Sequence, residues 1–162
     1  MRIIAIDPGY DRLGIAIVEK ESSKEILIYS ECFETNKKDD VNIRLYQVGN
    51  RVRELVSEYK PTVLVIEGLF FSKNTKTALT VSEARGVIIF QGTNAGLDIF
   101  EYTPNQIKLA VAGHGSASKK DVYLMVSRLI DMDLTVKRKD DEIDAIAVGL
   151  TFFASYKNRN SV

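Results

Sequence analysis

The segment "IIAIDPGYDRLGIAI", residues 3–17, decides how the chain begins to fold. It contains a short apolar run that ends in Asp7, a Pro-Gly turn, and a second apolar run. Two such runs separated by turn residues predict two neighbouring antiparallel strands. Because many other polar residues serve equally well at a turn, the carboxylate at the end of the first strand raises the question of what it binds.

The size and composition of the chain predict one globular domain over residues 1–162. Its mass is 18.2 kDa, and 45% of the residues are hydrophobic and 27% charged. No apolar run approaches the roughly 18 to 20 residues of a membrane-spanning helix, and the single cysteine, Cys32, cannot form an internal disulfide. We therefore expect no membrane segment and a cytoplasmic location.

The charges are unevenly distributed, although the net charge is zero. Residues 69–139 contain ten Lys and Arg against six Asp and Glu, a local net charge of +4, so the rest of the chain carries −4. A phosphate backbone responds to the local field rather than to the total charge. The alternative, a solvated surface of mixed charges, is equally consistent with this distribution.

Hydrophobic periodicity divides the chain into strands and helices. A helix leads into "TVLVIE" (62–67), a continuous β-branched run typical of a strand buried on both faces. That connection favours a crossover to a central parallel position. Thr103 with Pro104, and Ser118 with Asp121, predict two helix N-termini. The predicted strands are 2–7, 13–19, 25–33, 62–67 and 98–103, and the predicted helices are 41–59, 77–92, 104–112, 119–130 and 140–155.

Four acidic residues are the candidate site. Asp7 shares a strand face with Ala5, and Glu67 shares one with Val65, so both carboxylates emerge on one side if the strands are neighbours about 4.8 Å apart. Asp141 and Asp144 are three residues apart on one helix stripe. Each acid also has a structural interpretation: a turn residue, a loop cap, or acids that favour a helix N-terminus.

Four converging carboxylates repel one another, at about 4 kcal/mol for each ionised pair about 4 Å apart at an effective dielectric near 20. We expect divalent cations, rather than structural side chains, to compensate this repulsion. Two Mg²⁺ or Mn²⁺ ions suit oxygen ligands, with Asp7 as the bridging ligand. The sequence has no cysteine-histidine cluster for zinc, and His114, between two glycines, is predicted to be a loop residue.

Four sequence blocks resemble the RuvC-type Holliday junction resolvases of the ribonuclease H-like superfamily. The blocks are "IDPG" (6–9), "VIEGLFFSKNTKTALTVSEARGV" (65–87), "QIKLAVAGHGSASKKDV" (106–122) and "DDEIDAIAVGL" (140–150). The resemblance implies an α/β fold with a five-stranded mixed sheet of order 3-2-1-4-5, its first three strands antiparallel, and helices on both faces. It also implies a homodimer that nicks opposed strands of a four-way DNA junction, and a branch-migration motor complex as a partner.

The same resemblance assigns roles to individual residues. Asp7, Glu67, Asp141 and Asp144 become the catalytic acids that hold two Mg²⁺ per subunit, with Mn²⁺ as an alternative. Further residues match DNA contacts, with Phe70 stacking on a base. Their ordinary alternatives are a core phenylalanine for Phe71 and solvated charges for the lysines. These candidate DNA-binding residues are Phe70, Phe71, Lys73, Lys76, Lys108, Lys119 and Lys120, with Lys137, Arg138 and Lys139 as additional phosphate contacts.

Two other functions remain open at this point. A ribonuclease H-like nuclease acting on RNA or a hybrid would share the acids without needing a dimer, and a non-catalytic junction-binding module would not need the acids. The helix at 77–92, apolar on more than one side, is the candidate dimer contact. A neutral chain of pI about 6.6 is expected to bind DNA more weakly, or with more salt dependence, than a basic one.

Overall fold

A computed structural model describes residues 1–68 and 75–156. Every predicted helix and strand is confirmed, with ends that differ by no more than two residues. The elements are β1 (Arg2–Asp7), β2 (Arg12–Glu21), β3 (Lys24–Glu34), α1 (Val41–Tyr59), β4 (Val63–Glu67), α2 (Thr75–Asn94), β5 (Asp98–Tyr102), α3 (Pro104–Ala112), α4 (Lys119–Leu129) and α5 (Asp140–Ser155).

The five strands form one mixed sheet in the order β3-β2-β1-β4-β5, as predicted. β1 pairs antiparallel with β2 and parallel with β4, so the carboxyl ends of β1 and β4 lie at the same edge. Asp7 is paired with Gly14, and Ile6 with Ile66. The crossover through α1 therefore brings Asp7 and Glu67 to adjacent strand ends.

Helices cover both faces of the sheet, and alternation along the strands assigns each side chain to one face. Ile4 and Ile6 pack in the core beneath α1 and α2, whereas Ile3 and Ala5 pack in the core beneath α3, α4 and α5. Asp7 continues the second series. The carboxylate thus emerges on the face that α5 covers.

The helix α5 is buried almost all round, as its sequence predicts. The side chains from Ala145 to Phe153 are buried without interruption. Gly149 lets the helix lie close to the sheet, since a Cβ there would stand 3.2 Å from the Cβ of Ala5 and 3.1 Å from a methyl of Val18. This close packing fixes where the acidic first turn of α5 lies relative to β1.

The two predicted N-caps are both present as complete capping boxes. Thr103 accepts from the Gln106 amide and opens α3, and Ser118 accepts from the Asp121 amide and opens α4. A cap satisfies backbone donors at the helix start and so fixes its position. Among residues 1–68 and 75–156, none of the helices has the length and apolarity that crossing a membrane requires.

Candidate active site

The carboxyl groups of Asp7 and Glu67 lie in hydrogen-bonding contact at the shared strand edge. Burial is the largest cause that raises the pKa of Asp7, followed by the charge of Glu67. With the hydrogen bond to Glu67 and the charges of the α5 acids, they bring it from 3.8 to about 8. A hydrogen bond between two carboxyl groups requires a proton, so the pair holds one between them. Two carboxylates that share one proton form a pocket with an unmet demand for positive charge.

The acids of α5 also lie near Asp7. The charges of Asp144 and Asp141 both contribute to the raised pKa of Asp7. Burial also raises the pKa of Glu67 and of Asp144. The fold therefore brings all four predicted acids to one edge of the sheet, as the strand and helix faces predicted.

Gly14 allows α5 to come this close to the strand ends. A Cβ at position 14 would stand 2.0 Å from the backbone carbonyl oxygen of Asp141 and 3.2 Å from the Cβ of Asp7. Because real Cβ atoms essentially never approach other atoms within 3.0 Å, another residue here would push the helix away. Glycine is thus required at the position in β2 that pairs with Asp7.

Basic side chains pair with two of the acids. Arg12 Nη1 lies 3.5 Å from Asp141 Oδ2, and Lys119 Nζ lies 3.6 Å from Asp144 Oδ2. Cys32 Sγ also donates to Asp141 Oδ2, at 3.6 Å. The expectation that only cations would compensate the repulsion is therefore wrong for Asp141 and Asp144, since side chains already balance part of their charge.

Arg12 and Cys32 were not predicted from the sequence. Burial and the charge of Asp141 raise the pKa of the Cys32 thiol to about 11, so it stays protonated and can donate. Both residues lie beside the predicted acid only because β2 and β3 carry them there: Gly14 pairs with Cys32 across the hairpin. The strand register is the signal that could have identified Cys32, because Asp7 pairs with Gly14 and Gly14 pairs with Cys32.

A groove beside Glu67 and Asp144 contains two of the predicted DNA-binding lysines. We call it the Asp144 groove, lined by Glu67, Pro104, Ile107, Lys108, Lys119, Val122 and Asp144. The positive charges of Lys108 and Lys119 act to lower the pKa of Glu67, against the larger effect of burial. Both lysines therefore lie beside the acids, Lys108 in the middle of α3 and Lys119 at the start of α4.

The other predicted DNA contacts are distributed differently. Lys120 is exposed on α4 and does not line the Asp144 groove. Phe70, Phe71 and Lys73 lie outside the described residues, as does the side chain of Lys76. His114 lies in the loop between α3 and α4, as predicted, with Nδ1 3.3 Å from Ser116 Oγ.

Two of the three basic residues before α5, Arg138 and Lys139, bind other parts of the protein. Arg138 donates to Ser30 Oγ at 3.2 Å and to the carbonyl of Asp133 at 2.8 Å. Lys139 donates to Glu34 at 2.6 Å. In this structure these two side chains attach the start of α5 to β3 and to the preceding loop, which is the ordinary alternative to a phosphate contact.

The donor chemistry of the acids fits a hard divalent cation, which prefers carboxylate oxygens. Within residues 1–68 and 75–156, however, no three His, Cys, Asp or Glu side chains lie close enough together to hold an ion. Asp7 and Glu67 are in contact, whereas Asp141 and Asp144 point to Arg12 and Lys119. A cation at this edge would compete with the proton between Asp7 and Glu67 and with the ion pairs of Asp141 and Asp144.

The raised pKa of Asp7 predicts how the metal-free protein responds to pH. The unfolded chain releases this proton near pH 3.8, whereas the folded protein keeps it to about pH 8. The unfolded state therefore binds fewer protons in this interval, and stability falls as the pH rises from about 4 to about 8. We expect the unfolding temperature in EDTA to fall across this window, by differential scanning fluorimetry. An unfolding temperature that instead rises steadily from pH 5 to pH 8 would contradict this.

Known proteins are similar to this chain in both sequence and fold. The family model of crossover junction endodeoxyribonuclease RuvC matches residues 3–152. The crossover junction endodeoxyribonuclease RuvC of Prochlorococcus marinus strain AS9601 is 41% identical over 151 residues, which cover 93% of this chain and 95% of that protein.

Solved structures agree with the sequence comparison. The Thermus thermophilus RuvC structure is 30% identical and superposes with a TM-score of 0.86, over 95% of this chain and 94% of that one. T. thermophilus RuvC in complex with Holliday junction substrate superposes with a TM-score of 0.87 at 30% identity, over 94% and 93% of the two chains. The chain therefore belongs to the RuvC family of crossover junction endodeoxyribonucleases, the family that its four sequence blocks predicted.

Proposed function

We propose that this chain is an endonuclease that resolves four-way DNA junctions by paired symmetric nicks, in homologous recombination and DNA repair. The observation that carries the proposal is the meeting of four acids from β1, β4 and α5 beside the lysines of the Asp144 groove. The T. thermophilus relative is described in complex with a Holliday junction substrate. Membership of the same family supports the same substrate here.

We assign Asp7, Glu67, Asp141 and Asp144 as the catalytic residues that hold metal. Their carboxylates suit two Mg²⁺ per subunit, with Mn²⁺ as an alternative. Such ions, when bound, activate a water and stabilise the leaving oxygen of a phosphodiester. Asp7 would be the ligand that the two ions share, because Glu67, Asp141 and Asp144 all act on its carboxyl group. The reaction is hydrolysis by water without a covalent intermediate.

Basic and aromatic residues bind the DNA around this centre. Lys108 and Lys119 supply positive charge next to Glu67 and Asp144, where negative charge develops on the phosphate. We assign Phe70 as the residue that stacks on a base near the junction centre, with Phe71 as its neighbour. Lys73, Lys76 and Lys120 are assigned as further phosphate contacts.

A homodimer supplies the two cuts, and α2 provides its contact surface. Leu79 and Phe90 are exposed on this helix although both are large and apolar. Gly86 lies between them, one helical turn or more from each, and a Cβ there would meet nothing within 4 Å in the single chain. An exposed apolar stripe with a small residue at its centre suits close packing against a second helix.

Phe90→Glu tests this surface. We expect the variant to fold, because Phe90 is 64% exposed in the single chain, but to sediment as a monomer. The two nicks in one junction then become uncoupled, and nicked intermediates accumulate. Leu134→Glu is the matched control: it places the same charge on an equally exposed residue, 64%, in the loop before α5. A dimeric Phe90→Glu protein with coupled nicks would exclude α2 as the contact.

Cleavage of a synthetic four-way junction tests the function itself. With Mg²⁺ we expect symmetric nicks in two opposed strands, and without it none; Mn²⁺ is tested in parallel. Preferential cleavage of a linear RNA–DNA hybrid would favour the ribonuclease H-like alternative. Junction binding without cleavage under any divalent cation would favour the non-catalytic module.

We further propose that the enzyme acts in the cytoplasm with a branch-migration motor complex, which a co-purification experiment would test.

A further inference from the structure

We propose that Arg12 is a metal-dependent DNA contact: it binds Asp141 in the metal-free protein and binds a backbone phosphate once Asp141 has turned to a cation. This inference rests on the proposed metal-dependent cleavage. It adds a residue from β2 to the machinery, in a groove that Lys108 and Lys119 do not line. Its basis is a second groove, the solvent exposure of Arg12, and a single weak ion pair.

The second groove lies between the β1–β2 turn and α2. We call it the Asp141 groove, and it is lined by residues 9–12, Thr80, Val81 and Asp141. The Asp144 groove shares no lining residue with it and contains Glu67 and Asp144 instead. We expect a DNA strand that is bound across the four acids to contact both grooves. Lysines line the Asp144 groove, and Arg12 is the basic side chain that lines the Asp141 groove.

The contacts of Arg12 suit a side chain that changes partners. Its side chain is 55% exposed, and its ion pair is one 3.5 Å contact with Asp141. Arg44 shows the contrast: this guanidinium is only 6% exposed, binds Asp11 and Thr35, and stacks 3.8 Å from the ring centroid of Tyr10. Arg44 therefore holds the turn in place, which leaves Arg12 free to reorient on a fixed backbone.

Competition follows from the position of Asp141. The guanidinium at Asp141 Oδ2 neutralises part of the negative charge that a cation beside Asp7 would need, and the two positive charges repel each other, so the ion pair lowers the apparent affinity for metal. By the same linkage, metal releases Arg12 for another anion. The planar guanidinium matches a phosphate in geometry as well as in charge. Metal binding and DNA binding are thereby coupled through one side chain.

Arg12→Ala tests the first half of the coupling, with Lys37→Ala as its matched control. Lys37 lines a neighbouring groove with Arg12 and carries the same charge, but it pairs with Asp11 at 4.0 Å rather than with an acid of the site. Mg²⁺ is titrated without DNA, and the rise in unfolding temperature gives the apparent affinity. We expect Arg12→Ala to bind Mg²⁺ about twofold to fivefold more tightly, the range of an exposed ion pair. Lys37→Ala is expected to match the wild type.

Junction DNA tests the second half of the coupling, which is the release of Arg12 to a phosphate. In EDTA, where Arg12 is engaged by Asp141, we expect Arg12→Ala and Lys37→Ala to bind the junction equally well. In Mg²⁺, we expect the KM of Arg12→Ala to rise about tenfold, with a salt dependence reduced by about one phosphate contact per subunit. Arg12→Gln, which keeps polarity without charge, should behave like Arg12→Ala, and Arg12→Lys should recover most of the KM.

The outcomes separate this inference from the proposed function. A wild-type protein that neither cleaves nor gains stability with Mg²⁺ would overturn the function. If the wild type does both, an Arg12→Ala protein with unchanged or weaker Mg²⁺ affinity overturns the inference alone. An Arg12→Ala defect of equal size in EDTA and in Mg²⁺ also overturns it, because it would mark an ordinary electrostatic contact.

Discussion

Asp7→Asn is expected to lower junction cleavage by at least about a thousandfold, which corresponds to about 4 kcal/mol of transition-state stabilisation. Asparagine keeps the size of the side chain and can still donate to Glu67, but it removes the charge that bridges β4 and α5. Junction binding should persist, because the lysines of the Asp144 groove are unchanged. Cleavage is read at nucleotide resolution, and binding by electrophoretic mobility.

The same variant should be more stable than the wild type when metal is absent. The ionised Asp7 is disfavoured by burial and by three neighbouring acids, so its removal relieves a cost on the order of a few kcal/mol above pH 8. Below about pH 3 the wild-type residue is largely protonated in both states, and the difference should vanish. Saturating Mg²⁺ should raise the unfolding temperature of the wild type and leave that of Asp7→Asn nearly unchanged.

Junction cleavage and the unfolding temperature together distinguish a loss of catalysis from a loss of folding. A loss of cleavage by misfolding would lower the unfolding temperature, whereas the expected variant is inactive and more stable. Full activity in Asp7→Asn would remove Asp7 from the catalytic set. An inactive variant that is less stable than the wild type in EDTA at pH 8 would contradict the assigned repulsion among the acids.

Much of the fold and the acid set could be predicted from sequence, because both depend on regular geometry. Alternation along two strands assigned Asp7 and Glu67 to one face, and a helical stripe joined Asp141 to Asp144. The parallel register of β1 with β4 then brought the strand ends together. Periodicity also placed α2 correctly and marked it as apolar on more than one side.

The partners of the acids depend on contacts that periodicity does not encode. Arg12 begins β2 directly after a polar turn, where the sequence pattern indicates only solvent exposure, and Cys32 belongs to a strand of intermediate burial. Both contact Asp141 because the glycine at position 14 leaves room for the first turn of α5 beside the strand ends. The sequence likewise predicted repulsion among four acids but not the ion pairs of Arg12 and Lys119 that reduce it.

Gly14→Ala is expected to damage both folding and catalysis, because the added methyl would overlap the main chain of α5. The Cβ would stand 2.0 Å from the carbonyl oxygen of Asp141 and 2.7 Å from its carbonyl carbon. Backbone atoms cannot turn aside as a flexible side chain can, so the helix itself must move. We expect a loss of about 3 kcal/mol in the free energy of unfolding, the upper end for overpacking.

The catalytic effect of Gly14→Ala should exceed what its stability explains. A displacement of α5 of about 1 Å moves Asp141 and Asp144 together, and misplacements of that size cost about a hundredfold in rate. Gly68→Ala is the matched control, since it follows Glu67 directly and its Cβ would meet the Tyr102 carbonyl oxygen at an ordinary 3.6 Å. Denaturant unfolding and cleavage assays well below the unfolding temperature separate the two effects. If Gly14→Ala cleaves junctions as fast as Gly68→Ala, then α5 does not carry the catalytic acids to Asp7, and the assignment of Asp141 and Asp144 fails with it.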